Sequence, residues 1–192
     1  MSSTRLLVLG VVRLLQPVHG YDVRRMLLSW RADEWASVNP GSIYHALKTA
    51  TRDGQCRTIG EPARGGRPDR TAYELTEHGE FDFLVLLREA LWKLGDATTL
   101  RAGLCFFPVL GRDELLSLLR RRLTQLEAVV ESSGFTVSAP HPVTPRHVVE
   151  QIHLSAALSE GEARWVGDMI TRVERGDYHR PDGTPHPVVK EV

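Results

Sequence analysis

The sequence predicts a mainly α-helical protein: an N-terminal winged helix-turn-helix with a two-stranded wing, then a C-terminal α-helical dimerisation domain. Three observations carry that expectation. Residues 38–56, VNPGSIYHALKTATRDGQC, read as one short helix that stops at Gly54. Two strand-like runs, 56–61 and 71–75, then bracket the tip ARGGRPDR, which holds three arginines. Beyond Gly95 come two long leucine-patterned segments separated by a loop containing Pro140 and Pro142.

Each element has a local cause. Residues 6–16 are apolar almost all round, as in a helix at the centre of a small core, and Pro17 ends it. A second helix opens at His19-Gly20-Tyr21-Asp22 and runs to about Trp30, with Val23, Met26, Leu27 and Trp30 at helical spacing. Residues 31–37 form a polar connection. Pro40 stands at the first position of the third helix, where its missing N–H costs nothing. Ile43, Ala46, Leu47 and Ala50 form that helix's inner stripe; His45, Lys48, Thr49 and Arg52 occupy the opposite face. After the wing, Thr76 caps a long helix over 77–94, with Leu84, Leu87, Leu91 and Leu94 on one stripe and Gly95 at its end.

Residues 96–111 read as a short connection that includes Leu104-Cys105-Phe106-Phe107. An amphipathic helix follows over 112–133, with Leu115, Leu119, Leu123, Leu126 and Val130 inward, and 134–144 read as a loop. Thr144-Pro145 supply a cap and first position for a final helix to about Glu174, closed by Gly176. The domains expected are therefore 1–95 (DNA-binding), 96–178 (dimerisation and effector) and a flexible tail, 179–192.

Composition sets limits. At 192 residues, 42% hydrophobic and 25% charged, the chain has the make-up of a soluble globular protein. Its formal net charge is zero, but residues 1–76 hold eleven Arg/Lys against seven Asp/Glu, and the remainder carries the compensating acidic excess. Phosphate attraction is local, so a basic front half suffices for a nucleic-acid partner. Two distant cysteines, Cys56 and Cys105, offer neither a disulfide framework nor zinc spacing and suit a reducing cytoplasm. Arg13 interrupts the first apolar run, which is too short to span a bilayer, so no membrane association is expected.

The candidate site is the outer face of the third helix plus the wing tip. Ser42 and Tyr44 lie near the helix N-terminus, where hydroxyls and backbone N–H groups favour phosphate. His45 and Lys48 are long enough to reach base edges, Thr49 suits a thymine methyl, and Arg52 adds charge. Gly65 and Gly66 let Arg64, Arg67 and Arg70 approach another backbone closely. Trp92, Phe106, Phe107 and Trp165 are candidate walls for a flat aromatic effector, though four core or interface aromatics is the plainer account. Nothing resembles a catalytic triad, a phosphate loop, a dinucleotide fingerprint or a metal-ligand spacing, so neither enzyme activity, cofactor nor metal is expected. His141, His147 and His153 are expected at the surface.

The segments LLVLGVV, HGYDVRRML, NPGSIYHALKTATRDG and GGRPDRTAYELTEHG together resemble the PadR family of bacterial transcriptional regulators, over about residues 5–94. GEARWVGDMITRVERG in the final helix is similar to the subgroup with a virulence-activator-type C-terminal domain. The resemblance implies a homodimeric, cytoplasmic regulator, commonly a repressor, that binds an inverted-repeat operator in double-stranded DNA and releases it on binding a small phenolic or drug-like molecule. Asp69 departs from the basic-aromatic run found after the glycines in many relatives, which implies a weaker wing contact. The competing expectation is a winged-helix protein-interaction module whose basic face meets an acidic partner without sequence-specific DNA binding.

Overall fold

The computed structural model describes residues 3–60, 71–138 and 145–178. It forms two compact units: residues up to Ala90 with Gly95–Phe106, and Leu91–Leu94 with Phe107 onwards.

In the first unit, α1 (Ser3–Leu15) is the central element. Every residue from Leu6 to Val12 is buried, as the all-round apolar pattern requires. It packs on α2 (Gly20–Ser29) and α4 (Pro40–Arg52), which also pack on each other. Between them lies α3 (Ala32–Trp35), a single turn the polar composition of that stretch had concealed. Trp35 Nε1 donates to Trp30 O at 3.0 Å and ties this turn to the end of α2. The wing strands are β2 (Cys56–Ile59) and β3 (Ala72–Leu75), antiparallel, with Cys56 opposite Leu75 and Ile59 opposite Ala72. The sheet has three strands rather than two, because β1 (Val18–His19) pairs with the other edge of β3. Two residues after a proline carry no periodicity, so this strand exists only through its partner.

The long helix α5 spans Glu77–Trp92. Its buried residues are Gly79, Phe83, Leu87, Ala90 and Leu91; Leu87 and Leu91 are buried as expected, whereas Phe83 takes the inward place expected of Leu84. Arg13 Nε meets both Glu80 oxygens at 2.9 Å, and Arg5 reaches Asp82 at 3.0 Å, so ion pairs join α5 to α1. The expected connection after Gly95 contains a helix, α6 (Ala97–Leu104), which packs on α1 and so groups with the first unit. Asp96 is its cap: the carboxylate accepts from Thr99 N and Thr99 Oγ1, both at 2.9 Å, and these bonds hold its carboxyl below the usual range.

The second unit centres on α7 (Arg112–Ser138) against α8 (Arg146–Glu174). Helix α7 runs into the stretch expected as loop, and Pro145 stands at the N-cap of α8, not at its first turn. Leu115, Leu119 and Leu126 are buried as the pattern predicts, and so are Leu116, Ser133 and, unexpectedly, Arg122, whereas Leu123 and Val130 are only half-buried. Val166, Met169, Ile170 and Val173 supply the facing stripe of α8. His147 and His153 are exposed, whereas His141 and the expected tail at 179–192 lie outside the described residues. No described helix is long and apolar enough to cross a membrane.

Candidate nucleic-acid interface

Helix α4 starts with a complete capping box. Asn39 Oδ1 accepts from Ser42 N at 2.9 Å, and Ser42 Oγ accepts from Asn39 N at 3.0 Å while donating to Asn39 O at 2.8 Å. The Ser42 hydroxyl, expected at phosphate, is therefore engaged within the cap. Pro40 has no N–H and Ile43 N donates to Asn39 O, so Gly41 carries the remaining N–H of the first turn.

Ile43, Leu47 and Ala50 bury one face of α4 at 2% exposure or less. On the other face Tyr44, His45, Lys48 and Arg52 are exposed, while Ser42, Ala46 and Thr49 are half-buried. Arg52 Nε donates to Asp53 Oδ1 at 2.9 Å; that bond raises the guanidinium and lowers the carboxyl, Asp53 being held down first by the hydrogen bond itself. Lys48 has no ion-pair partner among the described residues. Arg64, Gly65, Gly66, Arg67 and Arg70 of the expected wing tip lie outside the described residues.

The root of the wing is fixed by contacts the sequence did not announce. Gly54, at φ +73°, turns the chain out of α4. Gln55 then sits wholly buried, and its carbonyl accepts from Thr76 N at 3.0 Å. Thr76 Oγ1 donates to Gly54 O at 2.6 Å and accepts from Gly79 N at 3.0 Å, which makes Thr76 the expected cap of α5. Gly79 passes so close that a Cβ there would lie 1.9 Å from Gln55 O. The Gln55 side chain donates to Asp82 Oδ2 at 2.5 Å, the same carboxylate oxygen that receives Arg5. The end of α4, both wing strands and the start of α5 thus share one hydrogen-bonded junction.

The surrounding segment is the one that family comparison detects. Residues 8–83 match the family described as "Transcriptional regulator PadR-like family". This segment belongs to the PadR-like family of transcriptional regulators. The PadR-like segment contains all of α2, α4 and the described wing strands, and the family is one of regulators, not enzymes. No curated protein matches the chain. Among solved structures it is similar to Bacillus subtilis PadR in complex with operator DNA, at 18% identity over 88% of this chain and 98% of that one, with a TM-score of 0.38. The PadR-like transcriptional regulator of Bacillus cereus aligns at 13% identity over 90% and 98%, also at 0.38. Bacillus subtilis PadR in complex with p-coumaric acid aligns at 17% identity over 89% and 96%, at 0.34. At these scores the likeness carries no argument about geometry or ligands.

The four aromatics considered for an effector site have distinct settings. Phe106 belongs to the first unit, where its ring makes edge contacts with Trp30 and Phe83, both at 5.6 Å, and fills the space beside Gly10. The other three are in the second unit. Phe107 meets Tyr178 edge-on at 4.9 Å, the Arg121 guanidinium lies 3.5 Å above the Trp92 ring, and Trp165 is half-buried.

Proposed function

We propose that the chain is a sequence-specific regulator that binds an inverted-repeat operator as a homodimer, represses transcription, and lets go of DNA when a small effector binds. The observation that carries this reading is the outward face of α4. His45, Lys48 and Arg52 project from the side opposite Ile43, Leu47 and Ala50, an arrangement that lets one helix anchor in the core and present cations to phosphate and base edges. Membership of residues 8–83 in a regulator family supports the same assignment.

The homodimer has its own support. On α8, Val148, Leu154 and Leu158 are 42%, 61% and 65% exposed, a run of branched apolar side chains that a second copy would cover. Two copies also let two α4 helices address half-sites about one helical turn apart. For the effector, Trp92, Phe107 and Trp165 remain the candidates; Phe106 is spent on the core of the first unit. Such a molecule must bind the DNA-free form better than the bound form, since equal affinity shifts nothing.

The deciding experiment is a fluorescence-anisotropy titration of labelled duplex from the chain's own upstream region against a shuffled duplex at about 150 mM salt, where non-specific attachment weakens steeply. Preference for the native duplex supports the reading. Equal, weak binding to both removes sequence-specific regulation and favours a protein-interaction module.

A further inference from the structure

A groove of about 280 Å³ opens beside the outer face of α4. Ser42, His45, Ala46 and Thr49 form one wall and Arg5 of α1 the other. Ala50 and Gln55, at 2% and 0% exposure, make the floor. The lining carries little uncompensated charge, because Arg5 is already bonded to Asp82. Gln55 is the anomaly. Its Nε2 donates to Asp82, but its Oε1 is buried and accepts no hydrogen bond among the described residues. A buried carboxamide oxygen without a donor is costly, and native proteins rarely leave one so.

We propose that this groove is a binding site for a small, neutral, planar molecule carrying one N–H donor, of the size and class of an indole-type heterocycle. The flat ring would lie against Ala46 and Ala50, and its N–H would supply the bond that Gln55 Oε1 lacks. A carboxylate would find no uncompensated cation in this lining, since Arg5 is already bonded to Asp82, and would lose its hydration without return; a neutral ring meets no such penalty. The site's existence stands on the groove and on Gln55. Its consequence, competition with DNA, rests on the proposed function, because Ser42, His45 and Thr49 would face both the duplex and the occupant.

The test is a titration of the full ¹⁵N-labelled chain with indole and, in parallel, with 1-methylindole, which lacks the donor. Saturable shifts at Ala46, Thr49, Ala50 and the Gln55 side-chain amide, with indole binding about tenfold more tightly than 1-methylindole, are the expected result. Ala46→Leu, which fills the groove, should abolish the shifts. No saturable shift up to 10 mM indole (roughly the millimolar limit of weak fragment affinity), equal binding of the two probes, or undiminished binding to Ala46→Leu would each overturn the proposal. If Ala46→Leu does not fold, the comparison of the two probes on the unaltered chain decides alone. The titration contains no DNA, so a chain that bound no duplex would sink the proposed function while leaving this outcome readable. Where DNA does bind, indole should raise its apparent Kd.

Discussion

Arg122 Nε lies 2.5 Å from Glu162 Oε1, and the Arg122 side chain is only 1% exposed. The same guanidinium donates from Nη1 to Lys93 O at 2.8 Å and reaches Leu91 O at 3.5 Å. Gln125 adds a bond from Nε2 to Trp92 O at 2.9 Å. One turn of α7 therefore satisfies the carbonyls left open at the end of α5 and holds α8 through a carboxylate. The position that a leucine stripe would have filled is occupied by a cation because two backbone oxygens and the Glu162 carboxylate converge there.

Removing one member of this pair should be costlier than removing both. Glu162→Ala leaves a buried cation without its carboxylate and should cost about 3 kcal/mol in urea unfolding, the low end for buried pairs because Glu162 is itself 30% exposed. Arg122→Met with Glu162→Met should recover most of that loss, less the carbonyl bonds. A Glu162→Ala loss below about 1 kcal/mol would show that the pair is incidental.

The wing root should be intolerant of a methyl at Gly79, whereas Gly95, beyond the end of α5, should accept one. Gly79→Ala places a methyl against the Gln55 carbonyl, which is backbone and cannot rotate away, so a loss of about 2–3 kcal/mol is expected. A Cβ at Gly95 meets nothing within 4 Å, and Gly95→Ala should be neutral or stabilising by about 0.5 kcal/mol. Paired thermal melts of the two variants check this; equal effects would mean that the junction yields.

On α4, charge should behave according to partner. Lys48→Ala should weaken duplex binding and flatten the slope of log K against log[salt] by about one unit, as for a lost phosphate contact. Asp53→Asn should do the reverse: freeing Arg52 from its neighbour and removing a negative charge should tighten binding about threefold. An Asp53→Asn variant that binds DNA no better would indicate that Arg52, even when freed, makes no contact with phosphate.

Both cysteines should be poor nucleophiles. Burial pushes the Cys56 and Cys105 thiols up to about 11. Alkylation by iodoacetamide, followed by mass spectrometry, should be slow at pH 7 and accelerate toward pH 11. The unfolded chain ionises its thiols from about pH 9, the folded chain only near 11, so stability attributable to these groups is intact below pH 9 and falls between the two values. Rapid modification of either thiol at pH 7 in the folded protein contradicts this.

Exposed leucines on α8 give the test of self-association. Leu154→Glu with Leu158→Glu places charge on the run proposed to meet a second copy, so the mass by light scattering should halve while helicity is retained. An unchanged mass moves the interface elsewhere or removes it.

Much of the architecture was written locally. The Pro40 start, the Gly54 exit, the Thr76 cap and the burial of residues 6–12 follow from sterics and from hydrogen bonds spanning three or four residues, which neighbouring letters report directly. The exposure of His45, Lys48 and Arg52 opposite Ile43, Leu47 and Ala50 follows from helical period alone. Several features were not legible that way. The strand Val18–His19 depends on β3, more than fifty residues later, as in the pairing of His19 with Ala72. Ser42 was expected at phosphate, but its hydroxyl is engaged with the backbone of Asn39. Arg122 reads as a surface charge in any periodicity count, and only the convergence of the α5 carbonyls with Glu162 makes burial tolerable.

The sequence by itself determined the longer helices α1, α2, α4, α5, α7 and α8, the stops of α1 and α4, and which face of α4 looks outward, because each of those depends on interactions within one or two turns; the short helices α3 and α6 and the full length of α7 were not legible in it. Tertiary structure alone decided the third strand, the close passage of Gly79 over Gln55, the buried Arg122 and the groove floored by Gln55. Those depend on which distant groups meet, and no spacing along the chain encodes the distance between atoms that only folding brings together.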